Sequence, residues 1–395
     1  MRIGASKIIS SAKIFVLAVF LCISLLFFVS CNSNNQDTNS TSVQNAISLT
    51  SSTTSPSINV SAKSAIAIET SSGEIYFQKN AHERLPMAST TKIMTALVAI
   101  ESGDLDRIIC ISPDAVGVEG SSIYLYPNER VTLKNLLCAL LLESANDAAA
   151  AIAIEIGGSI EGFADMMNEK ACELGLKDTS FKNPHGLDAE GHFTTAHDLA
   201  IITLAAMQND TFRQIVSTYK MTIPQNEIAN ARLLVNHNKM LKNYDGAIGV
   251  KTGYTKKSGR CLVSAANRDG VELICVTIDA PNDWQDHENM LNLGFSLYEQ
   301  RLIYDAFQLK LKHGISGGID SYVALSNTLP LYATVRQGQD VTEHIELPHL
   351  TVAPVYKNQA LGYIYYTQNG KIIASSPLVA EYSVNAKTHK RGIFS

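Results

Sequence analysis

Ser89 and Lys92 lie three residues apart in the stretch Ala88 to Ile100. On a helix that spacing puts two side chains on one face, one turn apart. A serine hydroxyl beside a lysine amine is a nucleophile with a candidate base. The amine takes a proton only when neutral, so burial or a second cation has to lower its pKa. A helix N-terminus at Ser89, following the turn marked by Pro86, adds backbone N–H groups suited to a developing oxyanion. Alone the pattern is weak, because Ser10 with Lys13 and Ser217 with Lys220 repeat it. The first repeat falls in an N-terminal targeting segment and the other in a polar stretch before Pro224.

Two further stretches give Ser89 its meaning. Leu141 to Asp147 offers Ser144 and Asn146, two positions apart, at a break between two apolar helices. Val250 to Thr255 ends a strand with a cation, Lys251, a hydroxyl, Thr252, and a glycine, Gly253, that permits close backbone approach. Ser-x-x-Lys, Ser-x-Asn and Lys-Thr-Gly in this order, each on a suitable element, are far rarer together than singly.

The elements that must position these groups follow from periodicity. Ser61 to Glu69 and Glu74 to Gln78 read as a hairpin around Ser71-Ser72-Gly73. Helices are predicted over Val131 to Glu143, Asp147 to Ile156, Gly162 to Leu174 and Ala196 to Met207, the second nearly all Ala and Ile and suited to close packing. Gly249 to Gly253, Cys261 to Ala266 and Val271 to Ile278 read as strands, and Asp286 to Gln300 as a helix returning over the sheet. The fold class is therefore α+β, an antiparallel sheet covered by helices with an all-α subregion. From about Ile303 short alternating runs separated by Gly, Asn and Pro predict a small all-β domain. That module contains no convergent nucleophile, base and metal ligand, so a spacer or docking role is expected of it.

With 395 residues the chain is long enough for two domains, and 46% apolar with 17% charged residues excludes general disorder. A formal net charge of −5 without basic runs in the globular part gives no nucleic-acid surface. Arg2, Lys7 and Lys13 precede the apolar run Ile14 to Val29 and Ser30-Cys31, the layout of an export signal. Phe28-Val29-Ser30-Cys31 resembles a bacterial lipobox, with Phe28 in place of the usual Leu. Cys31 is then either lipidated after cleavage or incidental to an ordinary signal peptide or uncleaved anchor. The expected layout is a signal or anchor over 1–31, a Ser/Thr/Asn-rich linker over 32–60, a catalytic domain over 61–302, a β domain over 303–387 and a tail over 388–395. The protein is expected outside the cytoplasm, tethered to the membrane through its N-terminal anchor. Cys110, Cys138, Cys172, Cys261 and Cys275 form no C-x-x-C, which argues against a disulfide framework or zinc site. Cys261 and Cys275 are the one pair that could face each other across a hairpin.

The sequence resembles the serine penicillin-recognising enzymes, and more closely the low-molecular-weight penicillin-binding proteins that are D-alanyl-D-alanine carboxypeptidases. The resemblance runs from about Ser64 to Val384 and rests on Pro86 to Thr95, Ser144-Ala145-Asn146-Asp147, Phe181 to Leu187 and Val250 to Thr255, with the trailing β module. It implies that Ser89 attacks the carbonyl of the penultimate D-alanine and that Lys92 takes its proton. Ser144 would relay a proton toward the leaving amine, and Asn146 would hold the substrate amide and Lys92. Lys251 would keep Lys92 neutral and attract the anionic substrate, and Thr252 would bond the terminal carboxylate. The N–H groups of Ser89 and Tyr254 would form the oxyanion hole, with Gly253 giving access. The partners implied are stem peptides ending in D-Ala-D-Ala and β-lactams as covalent inhibitors, with no metal or organic cofactor.

Some relatives carry an arginine beyond the two strands that helps hold the terminal carboxylate, but Asp279 to His287 contains none. That form resembles the branch linked to spore cortex. Arg260 is the candidate substitute, against the plainer possibility of a solvated strand residue, and Trp284 reads as a packing residue. His185, His192 and His197 lack the carboxylate spacing of a metal site. Rival functions are a β-lactamase, whose class A members need an added glutamate loop not seen between Ser144 and Lys251, and a catalytically silent cell-wall-binding lipoprotein. Endopeptidase action on cross-links is inseparable from carboxypeptidase action at this level.

Overall fold

A computed structural model describes residues 49–51, 58–225 and 230–388. The leader, Cys31 and most of the linker and tail expected from sequence lie outside the described residues.

The catalytic part is built on a sheet whose strands come from both ends of the segment. β1 (Ser64–Glu69) and β2 (Glu74–Lys79) form the expected hairpin. After α1 (Lys92–Glu101), α2 (Leu133–Leu142), α3 (Asn146–Gly157), α4 (Ile160–Glu173), α5 (Ala196–Met207) and α6 (Asp210–Ser217), the chain makes a second hairpin, β3 (Lys220–Gln225) with β4 (Asn230–Val235). It then returns through β5 (Ala247–Thr255), β6 (Gly259–Arg268) and β7 (Val271–Ile278) before α7 (Asp283–Leu297). The sheet order is β2-β1-β7-β6-β5, antiparallel throughout, with Thr50–Ser51 added parallel at the β2 edge.

Alternation along β7 shows how the two cores are separated. Ile274, Val276 and Ile278 face the helical body, where they meet α1, α5 and their neighbours, while Leu273 and Cys275 face the layer containing Met290 and Leu291 of α7. A period of two makes this assignment register-dependent, so one slip would expose both cores. α3 is a run of buried alanines, and its Gly157 leaves room for no Cβ against the backbone of Phe163 in α4. Small side chains thus let α1, α3 and α4 approach closely enough to hold a site between them.

Several expectations needed correction. Arg130–Thr132 is extended and pairs with Ile108–Cys110, so α2 starts at Leu133, with the Thr132 hydroxyl accepting from Asn135 N–H. The polar stretch before Pro224 is the strand β3, whose polar outward residues mask its alternation, and α6 is a short two-turn helix capped by Asn209. α7 ends at Leu297, not Gln300. Tyr298 is already extended and opens β8 (Tyr298–Tyr304). Cys275 sits opposite Ser264, not Cys261, and both thiols are free.

The β module continues from β8 with β9 (Leu311–Ser316), β10 (Tyr322–Ser326), β11 (Leu331–Arg336), β12 (Thr342–Glu346), β13 (Ala360–Gln368) and β14 (Lys371–Ala380). β8 pairs with β11, and β12-β13-β14-β10-β9 form the larger sheet, with Thr351–Val352 added parallel beside β9. The two layers bury Val323, Leu325, Val335, Ile364 and Leu378 between them. Arg336 of β11 makes a buried ion pair with Glu74 of β2, at 2.5 Å, and Lys371 donates to the Ser72 carbonyl at 3.0 Å. The module is therefore fixed to the hairpin edge of the catalytic sheet, the edge opposite β5.

Candidate active site

Ser89, the candidate nucleophile, sits on a 3-10 turn, Ala88–Thr91, that leads straight into α1. Ala88 has a φ of 46°, a left-handed value that costs an alanine energy and persists only when its surroundings impose it. Those surroundings are visible. Thr91 Oγ1 donates to the Ala88 carbonyl at 2.8 Å and contacts His192 Nε2 at 2.8 Å. Lys182 N–H donates to His192 Nδ1 at 3.0 Å, so the ring proton lies on Nε2 and points at Thr91. Burial lowers the His192 pKa to about 4, which keeps this arrangement neutral.

Lys92 is fully buried at the start of α1. Its Nζ lies 2.7 Å from Asn146 Oδ1, 2.6 Å from the His185 carbonyl and 2.9 Å from Ser89 Oγ. The first two are pure acceptors. Asn146 is held that way round because its Nδ2 donates to the Glu119 carbonyl. A neutral amine has two N–H bonds and one lone pair, so the acceptors take both hydrogens and leave the lone pair for the Ser89 O–H. Burial pushes the Lys92 pKa well below the ordinary lysine value, and the neighbouring Lys251 cation pushes it further, while Asp147 opposes both. Asp147 is itself occupied by Ser122 Oγ and the N–H groups of Ile123, Leu125 and Ala148.

Lys251 is also buried and donates to the Thr252 carbonyl at 2.9 Å. Burial pulls it down to about 7, and a substrate carboxylate brought against it would favour the charged form. Gly253 presses β5 onto the nucleophile turn, since a Cβ there would lie 2.9 Å from Ser89 N and 3.0 Å from Ala88 Cβ. Ser144 is buried with a φ of 59°, in the tight turn between α2 and α3. Its hydroxyl makes no hydrogen bond among the described residues. Tyr254 ends the cluster as a residue 66% exposed.

The structure thus joins Ser89, Lys92 and Asn146 by direct contact, adds Lys251 through its charge and Gly253 through packing, and keeps Ser144 two residues from Asn146. Thr252 is placed through its backbone alone. Arg260 is not part of this group. It lies on the α7 side of the sheet with Ser264, which bonds His287 of α7, and its guanidinium pairs with Asp283 at 2.8 Å near the Trp284 ring. As a carboxylate partner for the substrate it is therefore set aside.

What the sequence did not single out are backbone groups. The carbonyls of His185 and Glu119 orient Lys92 and Asn146, and no side-chain identity encodes a carbonyl. The visible signal was Asn183-Pro184-His185-Gly186. Asn183 Oδ1 accepts from Gly186 N–H at 2.7 Å and from His185 N–H at 3.3 Å, shaping the loop that delivers the His185 carbonyl. His185 itself is held neutral, its pKa lowered to about 3 by burial first and then by Lys92.

Residues 50–282 match the D-alanyl-D-alanine carboxypeptidase family, which covers more than half of the chain. The chain belongs to that family. Residues 298–386 match the C-terminal domain of penicillin-binding protein 5. The D-alanyl-D-alanine carboxypeptidase DacF of Bacillus subtilis is 36% identical over 81% of this chain and 85% of its own length. DacC of Escherichia coli is 30% identical over 82% and 84% respectively. Penicillin-binding protein 5 of Haemophilus influenzae superposes with a TM-score of 0.63 at 28% identity, covering 84% of this chain and 99% of that one. A penicillin-binding protein 3 from Streptococcus pneumoniae shares the fold with a TM-score of 0.73 at 24% identity. The family's activity is that of a serine-type D-Ala-D-Ala carboxypeptidase, for which a nucleophile beside a neutral amine is the chemical requirement.

The loop carrying His185 depends on Gly186, whose φ is 87° and whose added Cβ would lie 1.9 Å from the Ala88 carbonyl. Left-handed strain plus overpacking gives an expected destabilisation of roughly 2–4 kcal/mol for Gly186→Ala. Urea denaturation measures that cost. The acylation rate with a β-lactam should fall as well, because the displaced atoms adjoin Ser89, and an unchanged rate would show that the loop does not set the nucleophile.

Proposed function

We propose that this family member removes the terminal D-alanine from peptidoglycan stem peptides through a Ser89 acyl-enzyme, and that penicillin acylates the same hydroxyl. The observation that carries the proposal is the three-partner environment of Lys92, which leaves its lone pair for Ser89. Ser89 Oγ attacks the carbonyl carbon of the penultimate D-alanine as its proton moves to Lys92 Nζ. Burial and Lys251 disfavour the cation so formed, so the proton passes on readily, through the Ser144 hydroxyl, to the departing amine nitrogen. The Ser89 and Tyr254 N–H groups stabilise the oxyanion, an effect worth about a hundredfold or more in rate per donor. Asn146 positions the substrate amide, while Lys251 and Thr252 take the terminal carboxylate. Water then attacks the ester carbonyl as its proton goes to Lys92. Lys92 returns that proton to the departing Ser89 Oγ, which frees the shortened peptide as its carboxylic acid, ionising to the carboxylate, and restores the hydroxyl and the neutral amine.

Mass spectrometry after incubation with benzylpenicillin tests this directly. A single long-lived adduct on a Ser89-containing peptide is expected, absent from Ser89→Ala, together with D-alanine release from a D-Ala-D-Ala pentapeptide. An adduct elsewhere would overturn the assignment. Rapid turnover of penicillin without accumulation would favour a β-lactamase.

The place of action is proposed from the N-terminal sequence. The charged flank, apolar run and Ser30-Cys31 support export with lipidation of Cys31, and the arginine-free stretch Asp279 to His287 supports a role in the spore cortex. Among the described residues no helix is long and apolar enough to cross a membrane. Cys31→Ser should move the protein from the membrane fraction to the soluble one in cell fractionation. Unaltered membrane association would contradict a lipid anchor. Expression confined to vegetative growth would contradict the spore role.

A further inference from the structure

Tyr124 is the most exposed large hydrophobic residue among the described residues, at 84%, and its backbone has a φ of 57°. Left-handed backbone is costly for a bulky side chain, and glycine or asparagine would fill the position more cheaply. Nothing about packing accounts for a tyrosine there, because the ring is in solvent. The surrounding loop is nevertheless clamped on both sides. Ile123 N–H and Leu125 N–H both donate to the Asp147 carboxylate, at 3.2 and 3.0 Å, and Tyr124 N–H donates to Ser122 Oγ at 2.9 Å. From the other side Arg232 of β4 donates to the Ile123 carbonyl at 2.8 Å and the Tyr124 carbonyl at 3.1 Å. Arg232 is itself anchored by an ion pair with the fully buried Glu129.

The same loop is bolted to the active site. Its Glu119 carbonyl accepts from Asn146 Nδ2, its Ser121 carbonyl accepts from Asn146 N–H at 2.7 Å, and Gly120 leaves no room for a Cβ beside Asn146. Asn146 touches Lys92, and Asp147 beside it holds the N–H groups on both sides of Tyr124, so the loop bearing the strained tyrosine is tied to the reacting centre. Strain held in place by its surroundings beside a reactive site marks a functional position.

We infer that Tyr124 is a substrate-contact residue, its ring forming a platform for the peptidyl arm of the stem peptide. The claim deepens the carboxypeptidase reading above and rests on it. The leaving side of such a substrate is a single residue ending in a carboxylate, so only the peptidyl side is long enough to reach an outer rim. An amphipathic ring fits a chain that presents both backbone amides and aliphatic stems.

The test compares Tyr124→Ala, Tyr124→Gly and Tyr124→Phe with the parent on a D-Ala-D-Ala pentapeptide and on benzylpenicillin, with melting midpoints recorded. Loss of the ring should lower kcat/KM on the pentapeptide by about fivefold or more, through KM, in the Ala and Gly variants. Tyr124→Phe should stay within about twofold of the parent. Tyr124→Gly should raise the melting midpoint while losing substrate, since it relieves the strain. Penicillin, which lacks the long arm, should lose much less than the pentapeptide. Unchanged pentapeptide kinetics in both the Ala and Gly variants would overturn the inference, as would equal losses on the two substrates. Failure of the parent to form a penicillin adduct would instead strike at Ser89 itself, so the two failures are distinguishable.

Discussion

Everything in this molecule depends on keeping one buried amine uncharged. Placing Lys92 away from water is unfavourable for its cation, and a like charge on Lys251 adds to that cost. A lone buried lysine would normally be a defect. In the proposed mechanism it is a base, because its two N–H groups meet acceptors and its remaining lone pair meets a hydroxyl. The free energy spent in burying the group reappears as proton affinity held at a useful level. Without the burial the amine would be a spectator cation, and without Asn146 and the His185 carbonyl its lone pair would have no fixed direction.

That requirement explains the architecture around it. Three segments far apart in sequence must converge on a point that excludes water, which calls for close approach of backbone. The alanines of α3, Gly253 on β5 and Gly186 in the His185 loop supply it. Positive φ values at Ala88 and Ser144 show that the turns bearing two of the hydroxyls are shaped by their surroundings and not by local preference. The sheet serves both as a wall, through its β5 edge, and as a divider between two cores. The β module is attached at the far edge, away from β5, through Glu74 and Arg336.

Sequence was most informative where chemistry and periodicity coincide. Ser89 with Lys92, and Lys251 with Gly253, were legible because side-chain identity carries the function, and α5 because its apolar run is bounded by Thr195 and Gln208. The hairpin β6–β7 was legible from Asp269-Gly270. The roles of the His185 and Glu119 carbonyls were not, since a carbonyl belongs to every residue. Arg260 stayed open between two roles for a related reason. A strand places successive side chains on opposite faces, and register alone decided that this one would serve Asp283. The hairpin β3–β4 was hidden by Pro224 and its polar outer face, since of its described residues only Ile223 and Leu234 are fully buried in the core. The end of α7 was obscured because Tyr298 is apolar in either state, and only pairing with Arg336 of β11 makes it a strand.

The central claim is the charge state of Lys92, and 15N NMR of its Nζ across pH reads that state without reference to any substrate. The expected titration midpoint lies well below the ordinary lysine value of 10.5, and it should rise in Lys251→Met, where the neighbouring cation is gone. The neutral amine would then prevail at the pH where the enzyme works. A Lys92 that titrates near 10.5 in the folded protein, unmoved by the loss of Lys251, would contradict the entire scheme of activation.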